Sequence, residues 1–238
     1  MALLQNRPRM SKVEQLLKHP GLWKGNSSAR AVPSVSTGFG DLDDILPGGG
    51  WPQGALTEIL PASEGIGELR LLLPALARLS HSGRWLACIA PPYIPYAPAL
   101  ERHGIRLSRL LLVHPRRNDD RLWAVEQALR SGNCAAVLAW CSAADDHSLR
   151  RLQLAAEAGN SMGFLFRDPR CMHEHSPAAV RLHLYADGDQ AKNNRVRVHL
   201  FKCRGQHPPP PIQLELNDAL DLRLPPGAGT GHPRSRQH

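Results

Sequence analysis

ALTEILPASEGIGELRLLLPALARLSHSGRWLACIA, residues 55–90, sets an apolar strand, a glycine-bearing loop, a leucine-rich helix and a second apolar strand in succession. ALTEIL (55–60) and WLACIA (85–90) are short, continuous and apolar, the pattern of strands buried on both faces. Between them Leu69, Leu72, Leu73 and Leu76 share one helical face, and Pro74 either kinks that helix or marks its true start.

The alternation continues outward. LLLV (110–113), AAVLAW (135–140) and GFLF (163–166) read as further buried strands. Asp119 is placed to cap a helix carrying Leu122, Val125 and Leu129 that Gly132 closes; Asp145 does the same for Leu149, Leu152 and Ala156, closed by Gly159. After residue 180 the period changes to two: Val180, Leu182 and Leu184 alternate with polar residues, as do Val196, Val198 and Leu200, and then Ile212, Leu214 and Leu216. The expected fold class is α/β: a doubly wound, mostly parallel sheet with helices on both faces and antiparallel strands at its C-terminal edge.

The flanks differ in character. Ser11 and Glu14 fit a capping box, Val13, Leu16 and Leu17 form a short apolar stripe, and Pro20-Gly21 ends the helix. Residues 24–36 are small and polar. The expected organisation is therefore an N-terminal helix and linker over 1–36, a core domain over 37–216, and a disordered tail over 217–238 rich in Pro, Gly, Arg and His.

At 238 residues the chain can bury a sizeable core without disulfides or metals. Its mean hydropathy is −0.32, and it has neither a run of 18 apolar residues nor a secretory h-region, which points away from the membrane and towards the cytoplasm. Five cysteines without a CxxC pair read as reduced thiols. The net charge of +8 is uneven: +5 over residues 1–30, −3 over 31–100, +3 over 101–170, +3 over 171–205 and 0 over 206–238. A solvated surface or contact with nucleic acid accounts for such a balance.

The loop after the first strand is where a wound sheet places its ligand site. There, and in the preceding Ser36-Thr37-Gly38, Leu42-Asp43 and Gly48-Gly49-Gly50-Trp51-Pro52-Gln53-Gly54, the chain resembles the RecA recombinase superfamily, so a RecA-like core is the implied fold. The resemblance stops at the phosphate-binding residues. A P-loop needs G-x-x-x-x-G-K-[ST]. Here Leu60 stands at the first glycine, Pro61, Ser63 and Gly65 keep the outline, Ile66 takes the lysine position and Gly67 the Ser/Thr position. The strand that would end in the Walker B aspartate ends in Ala139-Trp140-Cys141, and Ala90-Pro91-Pro92 replaces the segment of the catalytic glutamate. Without the lysine and the Mg²⁺ ligand, the charge stabilisation that phosphoryl transfer needs is gone. The expectation is a non-enzyme with no cofactor.

Two families carry this combination. Gly21-Leu22-Trp23-Lys24-Gly25, LPGGGWPQGAL (46–56) and LFKCRG (200–205) resemble ImuA, a RecA-like accessory family of SOS-inducible translesion synthesis. LLLPALARLSHSGRWLACIAPP, ALRSGN followed by VLAW, and GNSMGFLFR are similar to SulA, the SOS cell-division inhibitors that bind the tubulin-like protein FtsZ. Because the stretches before 56 and after 200 are present, the ImuA reading leads and SulA is the alternative. The ImuA resemblance implies docking to an ImuB-like inactive polymerase homologue and to RecA, and through them to an error-prone polymerase and the sliding clamp.

Val13, Leu16 and Leu17 are the candidate partner-binding stripe, or cover for the chain's own core. Arg167, Arg170, Lys192, Arg195 and Arg197 are the candidate contacts to single-stranded DNA, against the simpler reading of a solvated strand face. Cys171, His173 and His175 lack a fourth ligand at zinc spacing, and twelve histidines make such a cluster expected by chance, so no metal is expected. Trp140 reads as packing rather than a cofactor platform.

Overall fold

The computed structural model describes residues 33–142, 144–186, 194–204 and 207–216. Val13, Leu16, Leu17 and Lys192, the N-terminal helix and the tail lie outside the described residues. In chain order the elements are β1 (Ser34–Val35), α1 (Gly40–Ile45), β2 (Trp51–Pro52), β3 (Leu56–Pro61), α2 (Leu73–Ser80), β4 (Trp85–Ile89) and α3 (Ala97–Arg102). They continue with β5 (Leu110–Val113), α4 (Asn118–Arg130), β6 (Cys134–Trp140), α5 (Asp146–Gly159), β7 (Met162–Phe166), β8 (Val180–Tyr185), β9 (Arg195–Cys203) and β10 (Ile212–Glu215). Short 3-10 turns cover Leu107–Arg109 and Pro169–His173.

β1 and β2 pair with each other, so Ser34–Val35 is a strand where a linker was expected. The other eight strands form one sheet in the order β10-β9-β8-β3-β7-β6-β4-β5. β8, β3, β7, β6, β4 and β5 are mutually parallel, and β9 and β10 add antiparallel at the C-terminal edge, as the change to period two implied.

Successive residues of the parallel strands serve opposite cores. Leu86 and Cys88 join a cluster with Leu42, Leu73, Leu76 and Leu100, whereas Ala87 and Ile89 join one with Val125, Leu129, Leu149 and Leu152. The helices therefore cover both faces, with α1, α2 and α3 on one side and α4 and α5 on the other. Trp51, fully buried, meets Phe164 edge-on at 5.5 Å in the first cluster. Gly159, at the end of α5, lies against α4 so closely that an added Cβ would sit 1.9 Å from the Leu129 carbonyl oxygen.

Two local expectations change, and the choice left open at Pro74 is decided. LLLV at 110–113 is not buried on both faces: the chain runs outward from β4 to β5 and returns to place β6 inside it, which leaves β5 at the rim with Leu111 45% and Leu112 36% exposed. Asp119 does not cap α4; Arg117 holds the N-cap position, and Asp119 and Asp120 sit in the first turn, where they complement the helix dipole. Pro74 starts α2 rather than kinking it, which leaves Leu69 in the preceding turn. Asp145 does cap α5, its carboxylate accepting from the Ser148 amide at 2.8 Å. No helix of the described residues is long and apolar enough to cross a membrane.

Candidate functional site

β3 runs straight through the start of the degenerate phosphate loop. Leu60 is fully buried in the strand and Pro61 still pairs with Leu184, so these two belong to the sheet and not to a loop that could wrap an anion. Ser63 and Gly65 are exposed beyond it; Ile66 packs against the core, and Gly67 adopts φ +111° where a Cβ would strike Leu216. The Glu68 carboxylate accepts from the amides of Gly65 and Gly67, both at 3.2 Å. A phosphate would need those same donors. The loop thus holds its own anion. Glu68→Ala is expected to speed hydrogen exchange at both amides several-fold, in keeping with the loss of bonds worth about 0.5–1.5 kcal/mol each; unchanged exchange would contradict the capping role.

Next to this loop, the carboxyl ends of β3, β4, β6 and β7 surround a cleft of about 440 Å³ lined by Ser63, Glu64, Ala90, Arg121, Trp140 and Arg167, among others. Trp140 forms part of its wall and stacks on Phe166 at 4.4 Å, which agrees with the packing role expected of it. Arg121 donates to the Trp140 carbonyl at 3.1 Å. Ala90, at the end of β4, is in the left-handed region at φ +51°, costly for a residue with a Cβ, and its N–H is held by the Val113 carbonyl at 2.8 Å. The chain then leaves through Pro91 and Pro92 to present Tyr93, Ile94 and Tyr96, each at least 70% exposed. The Tyr93 hydroxyl donates to Glu64, and that hydrogen bond, together with the carboxylate's charge, raises the phenol pKa. Uncovered tyrosines of this kind are typical anchors of protein–protein contacts.

Among the described residues, the four arginines read as DNA contacts do not share one setting. Arg167 is a correction: its side chain is 1% exposed, held by Glu58 at 3.5 Å, Glu174 at 3.0 Å and the Ala144 carbonyl at 2.8 Å. Arg170 is exposed near it, and the Asp168 carboxylate accepts from its backbone amide. Arg195 and Arg197 are exposed on β9, Arg195 directly across from Glu215 of β10, an opposite-charge pairing that suits a solvated sheet face.

Glu58 was not singled out from the sequence, yet it organises this part of the molecule. It is fully buried in the middle of β3, opposite Arg181 of β8, whose Nε donates to it at 2.8 Å; Ser176 Oγ donates to its other oxygen. Arg181 also donates to the carbonyls of Cys171 at 2.7 Å and Glu174 at 2.8 Å, and Lys202 donates to that of Ser176. Burial and the neighbouring Arg181 hold the Lys202 pKa below its usual value. The segment between β7 and β8 is thereby tied down by side chains from three strands. The signal lay in Glu58, a charge inside a strand that is apolar but for its neighbour Thr57; Arg181 gave none, because its strand alternates with polar residues.

The Cys171-x-His173-x-His175 stretch places Cys171 inward and both histidines in solvent, His175 meeting Asp146 at 2.8 Å. Among the described residues no group of three ligating side chains is arranged to hold a metal ion. All five cysteines are buried and none forms a disulfide; burial pushes the thiol of Cys88 up to about 12 and that of Cys141 to about 11.

A sequence model of the family described as cell division inhibitor SulA matches residues 54–163. The chain is 32% identical over 142 residues to the cell division inhibitor SulA of Pectobacterium atrosepticum, covering 58% of this chain and 73% of that protein. It is 32% identical over 112 residues to the SulA of Photorhabdus laumondii, covering 47% of this chain and 63% of that protein. Among solved structures, that of SulA from Pseudomonas aeruginosa aligns with 32% identity and a TM-score of 0.40, over 47% of this chain and 96% of that one.

Proposed function

This chain belongs to the SulA family of cell division inhibitors, and we propose that it arrests division as part of the SOS response by binding FtsZ and withholding it from polymerisation. The observation that carries the proposal is the 32% identity to a cell division inhibitor across 73% of that protein's length. The translesion reading is corrected by the same finding: the matching family and the similar curated proteins are division inhibitors. An ImuB-like polymerase homologue, RecA, an error-prone polymerase and the sliding clamp therefore have no support as partners.

The same proposal takes the chain to be a binding protein without ATPase activity. Glu68 on the loop amides and Ile66 in place of the lysine support that view. A RecA-like ancestry of the core is supported by the strand–loop–helix order of residues 56–80 and by no phosphate-binding side chain.

Overproduction is expected to turn dividing cells into filaments, and the purified chain in molar excess to reduce the FtsZ that sediments as polymer in the presence of GTP. Normal cell length together with unchanged sedimentation would overturn the proposal.

A further inference from the structure

Among the described residues β5 ends the sheet and is paired on one side only, with β4. Its side chains are all apolar, and Leu111 and Leu112 are partly uncovered. Behind Leu111 a groove of about 440 Å³ runs between the strands and α4, lined by Trp85, Ile89, Leu111, Val113, Trp123 and Ala128 among others, with no Asp, Glu, Lys or Arg in its walls. Trp123 is 62% exposed at its rim, and the Arg109 guanidinium lies over the Trp85 ring at 5.4 Å.

The segment that carries this edge is basic, with Glu101 just before it and Asp119 and Asp120 just after it. Residues 102–117 contain five arginines, two histidines and no acidic residue. Among the described residues none of those five arginines is in an ion pair. Proteins commonly protect an apolar edge strand with charge, a bulge or a covering element; β5 instead joins an open backbone edge to an apolar groove inside a basic frame.

We propose that β5 and its groove receive an extended, acidic and apolar segment of a partner protein, which adds as a further strand beside β5 and sets alternate side chains into the groove. The backbone edge supplies the hydrogen bonds, the tryptophan-lined groove selects apolar side chains, and the arginines select carboxylates. A second copy of this chain fits worse, since it would bring the five arginines towards their own kind. A nucleic-acid strand would satisfy the arginines but leave the apolar groove unfilled. The inference rests on the FtsZ reading for the identity of the partner.

Purified FtsZ is the probe, with the full chain. Leu111→Glu is expected to weaken binding by at least about tenfold, the scale of an interface anchor. Arg109→Glu combined with Arg116→Glu is expected to do the same and to flatten the salt dependence of binding. Leu154→Glu, at an exposed apolar position on α5 that lines neither the groove nor the β5 edge, is expected to leave affinity within about twofold, as for a residue outside the anchor set. Unchanged thermal midpoints show that the variants fold. Equal binding by wild type and Leu111→Glu overturns the docking surface and leaves the family reading standing. Failure of the wild type to bind FtsZ overturns both. Displacement of FtsZ by single-stranded DNA, or a dimer of this chain that Leu111→Glu abolishes, overturns the inference in favour of those occupants.

Discussion

Glu58→Ala is expected to destabilise the protein by about 3–5 kcal/mol, the range for removing one partner of a buried ion pair. At this chain length that is a fall in thermal midpoint of about 6–20 °C. The carboxylate lies fully inside the sheet with Arg181 at 2.8 Å and Arg167 at 3.5 Å, and both guanidinium groups are themselves nearly inaccessible to water. Alanine leaves two desolvated cations with no carboxylate between them. Replacing the charge on both sides at once, Glu58→Leu with Arg181→Met, is expected to recover part of the loss, because an apolar pair no longer has to offset desolvation. Thermal and urea unfolding followed by circular dichroism measure both. A single substitution costing less than about 1 kcal/mol, the range of an exposed pair, would show that water reaches the cluster.

Gly159→Ala should be comparably harmful for a different reason. The new Cβ would sit 1.9 Å from the Leu129 carbonyl oxygen and 3.0 Å from the Gly132 amide nitrogen, both backbone atoms that cannot swing aside. Elsewhere in a helix alanine is the better residue by about 1 kcal/mol; here α4 and α5 must separate, and the expected cost exceeds about 3 kcal/mol, beyond ordinary overpacking. A urea midpoint at or above that of the wild type would show that the helices relax at little cost.

The sheet was legible because the parallel strands β3 to β7 are apolar runs and the antiparallel β9 and β10 alternate; β8 alternates too, yet it runs parallel to β3 and is largely buried. Rank within the sheet was not legible. LLLV has the composition of a central strand, and only the path of the chain, outward through β5 and back to β6, makes it an edge. Arg167 was misplaced because an arginine after a strand looks solvent-borne until the buried carboxylate it serves is known. Glu58 was overlooked for the complementary reason: it lies inside the very strand that marks the fold. The family assignment drifted on stretches whose roles are structural. LPGGGWPQGAL delivers Trp51 to the core, and LFKCRG completes β9; the portion that the family's sequence model matches, residues 54–163, carries neither the whole of the first nor any of the second.

The strand order divides the sheet into two slabs. Residues 54–163 supply β3, β4, β5 and β6 and open β7, and those five strands are contiguous in the sheet. β8, β9 and β10 are laid in sequence along the other flank of β3, a second slab of the same sheet. Its seam is the β3–β8 junction, and across that seam runs the contact between Glu58 and Arg181. The two slabs are locked by a charge on each side, so the pairing at this seam depends on a buried side-chain contact as well as on backbone hydrogen bonds.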